Sequence, residues 1–476
     1  MNPSDFRSYK DLPPMAGVAT FEGAMAIGLS IEDCASRLKR HQWAFRRLNE
    51  IFLKRLISEP IYELKMGFSL HALYCAEHAA AWRKRVAEMR EPPLGLDVVP
   101  DAALDTFFDE ILAAPSVEAL VAGAYEFALP ALREALQRHI AETNRLVDHP
   151  SFRICRFALI EVEEMIDYGA KCAAQLIDAP TRARHEPWFA ALRRLLAQAG
   201  GLDGCSEKQT GAPERMFSGE TPGFDSVPRR DERFSDPYNM GVHAEVFLYD
   251  SEMPAETKPL MMYYKRLREI DVPEVIASII AETTGKPWDY TVDMTRQLWD
   301  EARHAMMGEA GFRRIGIDWS KFVRINSTWS LALNTQLTAI ERHAVLYFIE
   351  QGLMPKTGKR FEWETGLAAG DPFSAMVQDY DWADEVLHAR IGRDWYVKAM
   401  GDTKTATNYG DECWARVLID WQSYRDKGLT QHENWWPALY KEWCRLHGRT
   451  PNEKVLAYNT SYEAQRADLK ELSVSG

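Results

Sequence analysis

The chain has 476 residues, 46% of them hydrophobic and 27% charged, an ordinary balance for a folded globular protein that excludes wholesale disorder. Lys and Arg number 57 against 70 Asp and Glu, and the resulting net charge of −13 argues against nucleic-acid or anionic-membrane binding, which needs a basic stripe. Seven scattered Cys with no CxxC pair argue against a disulfide framework or a thiolate zinc site and for a reducing compartment.

The N-terminal stretch MNPSDFRSYKDLPPMAG is too polar and proline-rich for a signal peptide, and no run of about 18 apolar residues follows it. A cytoplasmic protein without a membrane span is expected. Helical periodicity then dominates. It predicts long helices from Ala35 to Ser58, Ile61 to about Met89, Val117 to about Val147, and Phe152 to Ile177, with breaks at Pro60, EPPLG and Asp148-His149-Pro150. A short helix from Pro187 to Ala199 closes this half. Residues 200–240 lose all period and are rich in Gly, Pro, Ser and charge, the composition of a linker or a loop that covers a site.

Helical patterns resume with Ile270 to Thr284, Trp288 to about Phe312, Trp329 to Gly352 and Pro372 to Met400, with residues 353–370 expected as a loop. Two shorter helices are expected at Asn408 to Tyr424 and Trp435 to Leu446. Val242 to Tyr249 is the one stretch with strand-like alternation. The expected fold is all-α, two four-helix bundles in tandem. Its parts are 1–199, an N-terminal bundle; 200–240, the linker or covering loop; 241–402, a second bundle; and 403–476, a C-terminal helical extension.

Two motifs in the second half carry chemistry. Asp300-Glu301-Ala-Arg-His304-Ala and Asp384-Glu385-Val-Leu-His388-Ala both read Asp-Glu-x-x-His-Ala, and both fall mid-helix on apolar stripes. Residues at i and i+3 share a helix face, so each pair can grip one ion with a carboxylate and an imidazole. A bundle-core dimetal site adds one Glu from each of two partner helices. Counting equal rise on both sides of the turn at Gly285–Pro287 pairs Glu301 with Glu274 and leaves Glu282 too close to the turn. The same count around Gly352 pairs Glu385 with Glu341 and leaves Glu350 too near the helix end. Asp300 and Asp384 are placed to hydrogen-bond a neighbouring His and fix its tautomer. Tyr380 and Trp299 are candidates to border the pocket, and Arg303 and Arg342 are expected on solvated faces. No phosphate-binding glycine loop or GxSxG elbow is present.

With its order E, ExxH, E, ExxH, the region resembles the di-iron carboxylate site of the ferritin-like superfamily, matched in full at the two ExxH motifs and by spacing alone at Glu274 and Glu341. The resemblance implies two ferritin-like bundles in tandem, the second holding two non-haem iron ions, sometimes manganese. It implies Glu274, Glu301, His304, Glu341, Glu385 and His388 as the ligands and O2 as co-substrate. It further implies oxidation of a small organic molecule with an external electron donor. A ferroxidase or peroxide-detoxifying role and a non-catalytic scaffold are the alternatives. The N-terminal half reads as a degraded copy: His78 aligns with His304 while Cys75 stands for Glu301, and Glu164 and Asp167 stand for Glu385 and His388. Ferritin-like proteins often pair bundles as homodimers, which a tandem chain could build within one molecule.

Overall fold

The computed structural model describes residues 7–90, 95–219 and 223–465, and among them every regular element is a helix. The protein is all-α, and no described helix is long and apolar enough to cross a membrane. The chain forms two compact units: Met1–Phe52 with His71–Phe224, and Leu53–Leu70 with Asp225–Gly476. The boundary at 224/225 falls inside the Gly- and Pro-rich segment. The connection between the first two long helices, residues 53–70, belongs to the second unit, and so do the described residues after 403.

α1 (Ile31–Ser58) and α2 (Tyr62–Ala87) run antiparallel, and within the part of them that belongs to the first unit the His41 ring packs against Trp82 and Phe45 against His78. A helix not expected from the sequence, α3 (Ala102–Leu112), starts where the Asp101 carboxylate accepts from the Ala103 and Leu104 amides, an N-cap that satisfies two orphan donors. The next helix differs from its expectation. It begins at Val117–Val121, widens through a π-turn at Ala122–Ala128 and continues as α4 (Leu129–Glu142), where Pro130 lacks the amide a regular helix would use. α5 (His149–Leu176) is capped by Asp148, and α6 (Ala179–Ala199) by Asp178, with Gly200 in the left-handed region ending it. The loop beyond α6 is tied down. Buried Glu110 accepts the amides of Met216, Phe217 and Ser218 and the Trp188 indole N–H.

The second unit contains α7 (Lys258–Arg268), α8 (Asp271–Glu282), α9 (Trp288–Arg314), α10 (Thr328–Gln336), α11 (Ala339–Gly352), α12 (Lys359–Ala368), α13 (Pro372–Gly392), α14 (Thr403–Arg416) and α15 (Trp436–Leu446). α7 and α8 pack on α9, α9 on α13, α13 on α11, and α11 back on α8, which closes a ring of four helical positions. α12 covers α13 and α7, and α14 covers α11. An aromatic core that includes Tyr263, Tyr264, Trp319, Trp435 and Trp436 packs alongside.

The helix expected at Asn408 to Tyr424 is two helices, Thr403–Arg416 and Trp421–Asp426, because the chain turns extended at Val417, and three further expectations differ from the structure. The helix expected from Trp329 to Gly352 is two helices, because the chain turns extended at Leu337 and restarts in a capping box built by Thr338 and Glu341. The segment expected as a loop at 353–370 contains α12. The strand-like stretch Val242–Tyr249 is helical from Ala244, where His243 Nδ1 accepts the Val246 amide.

Candidate metal centre

The ring of helices brings together Glu301 and His304 from α9 with Glu385 and His388 from α13, each at most 2% exposed. Glu350 joins them from the last turns of α11, Asp381 from α13, and Glu269 from the break between α7 and α8. Asp381, Glu385 and His388 follow i, i+4, i+7, one stripe of α13.

These side chains form two overlapping groups, Glu269/His304/Asp381/Glu385 and Glu301/Glu350/Glu385/His388, with the candidate ligand atoms of each group within 4.8 Å of one another. Glu385 belongs to both. His304 Nδ1 lies 3.5 Å from Glu301 Oε2, 3.5 Å from Glu269 Oε2 and 3.3 Å from Asp381 Oδ1. His388 Nδ1 lies 3.2 Å from Glu301 Oε1, 3.4 Å from Glu385 Oε2 and 3.8 Å from Glu350 Oε1. Glu301 thus turns one oxygen to each imidazole.

Behind the imidazoles the two motifs cross over. The Nε2–H of His304, on α9, donates to Asp384 on α13 at 3.2 Å, and that of His388, on α13, donates to Asp300 on α9 at 3.4 Å. Each Asp-Glu-x-x-His motif therefore orients the histidine of the other and leaves both Nδ1 atoms facing the carboxylates. Arg303 is not on a solvated face: its guanidinium holds Asp384 at 2.8 Å and also pairs with Asp300. Burial opposes ionisation of Asp300, but the hydrogen bonds from His388 and Arg303 outweigh it and hold the carboxyl down to about 2.

Two buried cations face the cluster. Lys359, the first residue of α12, sits 2.7 Å from Glu385 and 2.9 Å from Asp381, and Arg266 pairs with Asp381. Five carboxyl groups crowd against these two cations, and their influence opposes burial at the imidazoles. Burial favours neutral rings, yet Asp381 and Asp384 draw His304 well above its usual value, and Asp300 and Glu301 do the same to His388. Burial and then the adjacent Glu385 push Glu350 well above the carboxylate range.

The residues fit a pair of divalent cations. Nδ1 of His304 and of His388, Oε2 of Glu269, Glu350 and Glu385, and Oδ2 of Asp381 are buried and make no hydrogen bond. Buried polar atoms are rarely left so. Here they converge with the hard-oxygen and imidazole chemistry that iron or manganese takes.

Two expected ligands stand elsewhere. Glu274 is fully buried, but its Oε1 meets Lys65 Nζ at 2.5 Å and Arg230, and its Oε2 accepts from Ser330 Oγ at 2.8 Å. It closes an ion-pair network and faces no histidine. Glu341 is the third residue of α11: Oε2 accepts from the Thr338 amide at 2.9 Å, and Oε1 pairs with Arg416 at 2.6 Å. Those two contacts hold it down to about 2. Tyr380 is 63% exposed and borders nothing at the centre, and Trp299 packs against the aromatic core. Arg342 is buried against Ser278 and Glu282.

In the first unit the aligned positions do not assemble. Glu164 is exposed, and His78 pairs singly with Glu161 at 2.6 Å. A cavity of about 380 Å³ opens beside the cluster in the second unit. Its lining includes Glu269, Glu301, Glu350, Glu385 and Lys359 from the cluster, further charged groups such as Arg268 and Asp271, and the aliphatic Val272, Val275, Leu333, Val345, Leu346 and Ile349. No protein-family model, curated protein sequence or solved structure matches the chain.

Proposed function

We propose that the second unit is a ferritin-like dimetal oxidoreductase that uses O2 to oxidise a small, largely apolar organic molecule. The observation that carries this reading is the buried pair of ligand groups sharing Glu385, with two imidazole Nδ1 atoms and four carboxylate oxygens left without hydrogen bonds. Glu269, Glu301, His304, Glu350, Glu385 and His388 would hold two iron or manganese ions, with Asp381 within reach of the first. Such ions supply the redox chemistry towards O2 that no protein side chain provides.

The chain's own groups do the rest. Asp384 and Asp300 keep the proton on Nε2 of His304 and His388, so that Nδ1 presents its lone pair inward. Lys359 and Arg266 offset carboxylate charge that would otherwise be costly to bury. The aliphatic walls formed by α8, α10 and α11 receive an apolar substrate against the carboxylate face and displace water from it. Electrons arrive from a separate donor.

Anaerobic loading with Fe(II) followed by mixing with O2 tests the reading. The expected result is about two iron ions per chain, the stoichiometry of the bundle motif, with O2 consumed and the optical spectrum changing on mixing. Glu301→Ala, which removes the carboxylate facing both imidazoles, is expected to lose both signals. Less than one iron per folded wild-type chain overturns the proposal. Iron oxidation that no apolar compound accelerates favours iron storage instead.

A further inference from the structure

We propose that the first unit carries a separate, mononuclear metal site formed by Cys34, His139 and Asp148, suited to a borderline-soft divalent cation such as zinc. It is independent of the centre in the second unit. Three helix ends build it. Cys34 lies near the start of α1, His139 in the last turn of α4, and Asp148 is the cap of α5. Cys34 and His139 are 3% and 0% exposed.

The spacing is that of ligands around one ion. Cys34 Sγ is 3.1 Å from Asp148 Oδ2 and 4.0 Å from His139 Nε2, and Nε2 is 3.9 Å from Oδ2. Sulfur, nitrogen and oxygen ligands held tetrahedrally on zinc stand about 3.4–3.6 Å from one another, so each gap is within about half an ångström of that geometry. Arg85 donates to Oδ1 of Asp148 at 2.8 Å and to Ser151 Oγ at 2.9 Å. It therefore fixes the carboxylate with Oδ2 towards the thiol, where the Thr143 hydroxyl also reaches it at 3.3 Å. Ser151 Oγ lies 3.9 Å from Sγ, and a water would complete a fourfold ligand set.

The histidines point to a ligand rather than to packing alone. His139 Nδ1 makes no hydrogen bond, and Nε2 has only the long contacts to Cys34 and Asp148. The ring of His41 stands 5.5 Å away, fully buried, with neither nitrogen partnered. On binding, the Cys34 thiol releases its proton to solvent, and a thiolate–metal bond replaces the S–H···Oδ2 hydrogen bond. The missing CxxC spacing excludes a pair of neighbouring thiolates and leaves a one-thiolate site from three helices untouched.

Cobalt(II) added to the chelator-stripped full-length chain is the probe. The cluster in the second unit contains no sulfur, so a thiolate-to-cobalt charge-transfer band in the near ultraviolet cannot arise there, and its dependence on Cys34 assigns it to this site. The band is expected in the wild type, in Glu301→Ala and in Cys205→Ser, which removes the exposed cysteine, and is expected to vanish in Cys34→Ser. No band in the folded wild type, or an undiminished band in Cys34→Ser, overturns the proposal. Should Cys34→Ser fail to fold, zinc-edge X-ray absorption on zinc-saturated wild type decides. A sulfur scatterer at about 2.3 Å supports the site, and a shell of nitrogen and oxygen alone refutes it.

Discussion

Glu341 and Glu350 share α11 and serve opposite ends of it. At the start of the helix a carboxylate meets free amides and a favourable dipole, so Glu341 closes the cap and pairs with Arg416. Near the end, Glu350 is buried against Glu385 and His388. Glu341→Ala is therefore expected to keep about two metal ions per chain, while Glu350→Ala falls to about one or fewer, as read by metal analysis of the folded protein. Equal loss in both variants would contradict the assignment. Glu274 gives the converse case. Glu274→Ala leaves the buried cations Lys65 and Arg230 short of a partner, which costs about 3–5 kcal/mol. Its denaturation midpoint is expected to drop sharply while the folded fraction still binds its full metal complement.

At the scale of elements, the pairing of α7 and α9 depends on two small residues. A Cβ on Gly308 would stand 2.4 Å from the Leu267 amide nitrogen and 2.5 Å from the Tyr263 carbonyl, and one on Gly311 would stand 2.2 Å from the Tyr263 ring. This close approach sets Glu269 beside His304. Gly308→Val is expected to destabilise the protein by about 1–3 kcal/mol through overpacking and to weaken metal retention, although it touches no ligand. Unchanged retention at unchanged stability would show that the contact does not set the site. The same scale decides what the sequence reveals. Both ExxH pairs are legible because i and i+3 share a face whatever surrounds the helix. Glu269 and Glu350 are not, because finding them requires knowing where helices end. Glu269 lies beyond the start of α8, at its break from α7, so a count of equal rise along one helix does not reach it. Around Gly352 no such count works: α12 intervenes before α13, so the connection is a crossover rather than a turn. Asp381 was within reach, on the same stripe as Glu385 and His388.

For the molecule as a whole, buried imidazoles in the first unit couple folding to pH. Burial pushes His71 down to about 3, and its Nδ1 lies 2.6 Å from the Tyr125 hydroxyl. The unfolded chain takes up that proton near 6.5, so the stability His71 contributes is intact above pH 6.5 and is lost progressively as pH falls towards 3. Each such histidine steepens the loss by up to about 1.4 kcal/mol per pH unit. Urea midpoints between pH 7.5 and 5 are expected to fall less steeply in His71→Phe than in the wild type, even though the variant starts lower. Parallel slopes would exclude His71 as a source. The all-α class and the break in character after residue 199 were visible in composition and period. The return of residues 53–70 to the second unit was not, since it depends on contacts far apart in the chain.

The crossed pairing of Asp300 with His388 and Asp384 with His304, clipped by Arg303, makes the two motifs a single lock with its halves on different helices. Each half supplies the aspartate that holds the other's histidine. A graft of one Asp-Glu-x-x-His helix into a foreign bundle would carry a histidine with no partner to set its tautomer, whereas α9 and α13 moved together would bring their own alignment with them.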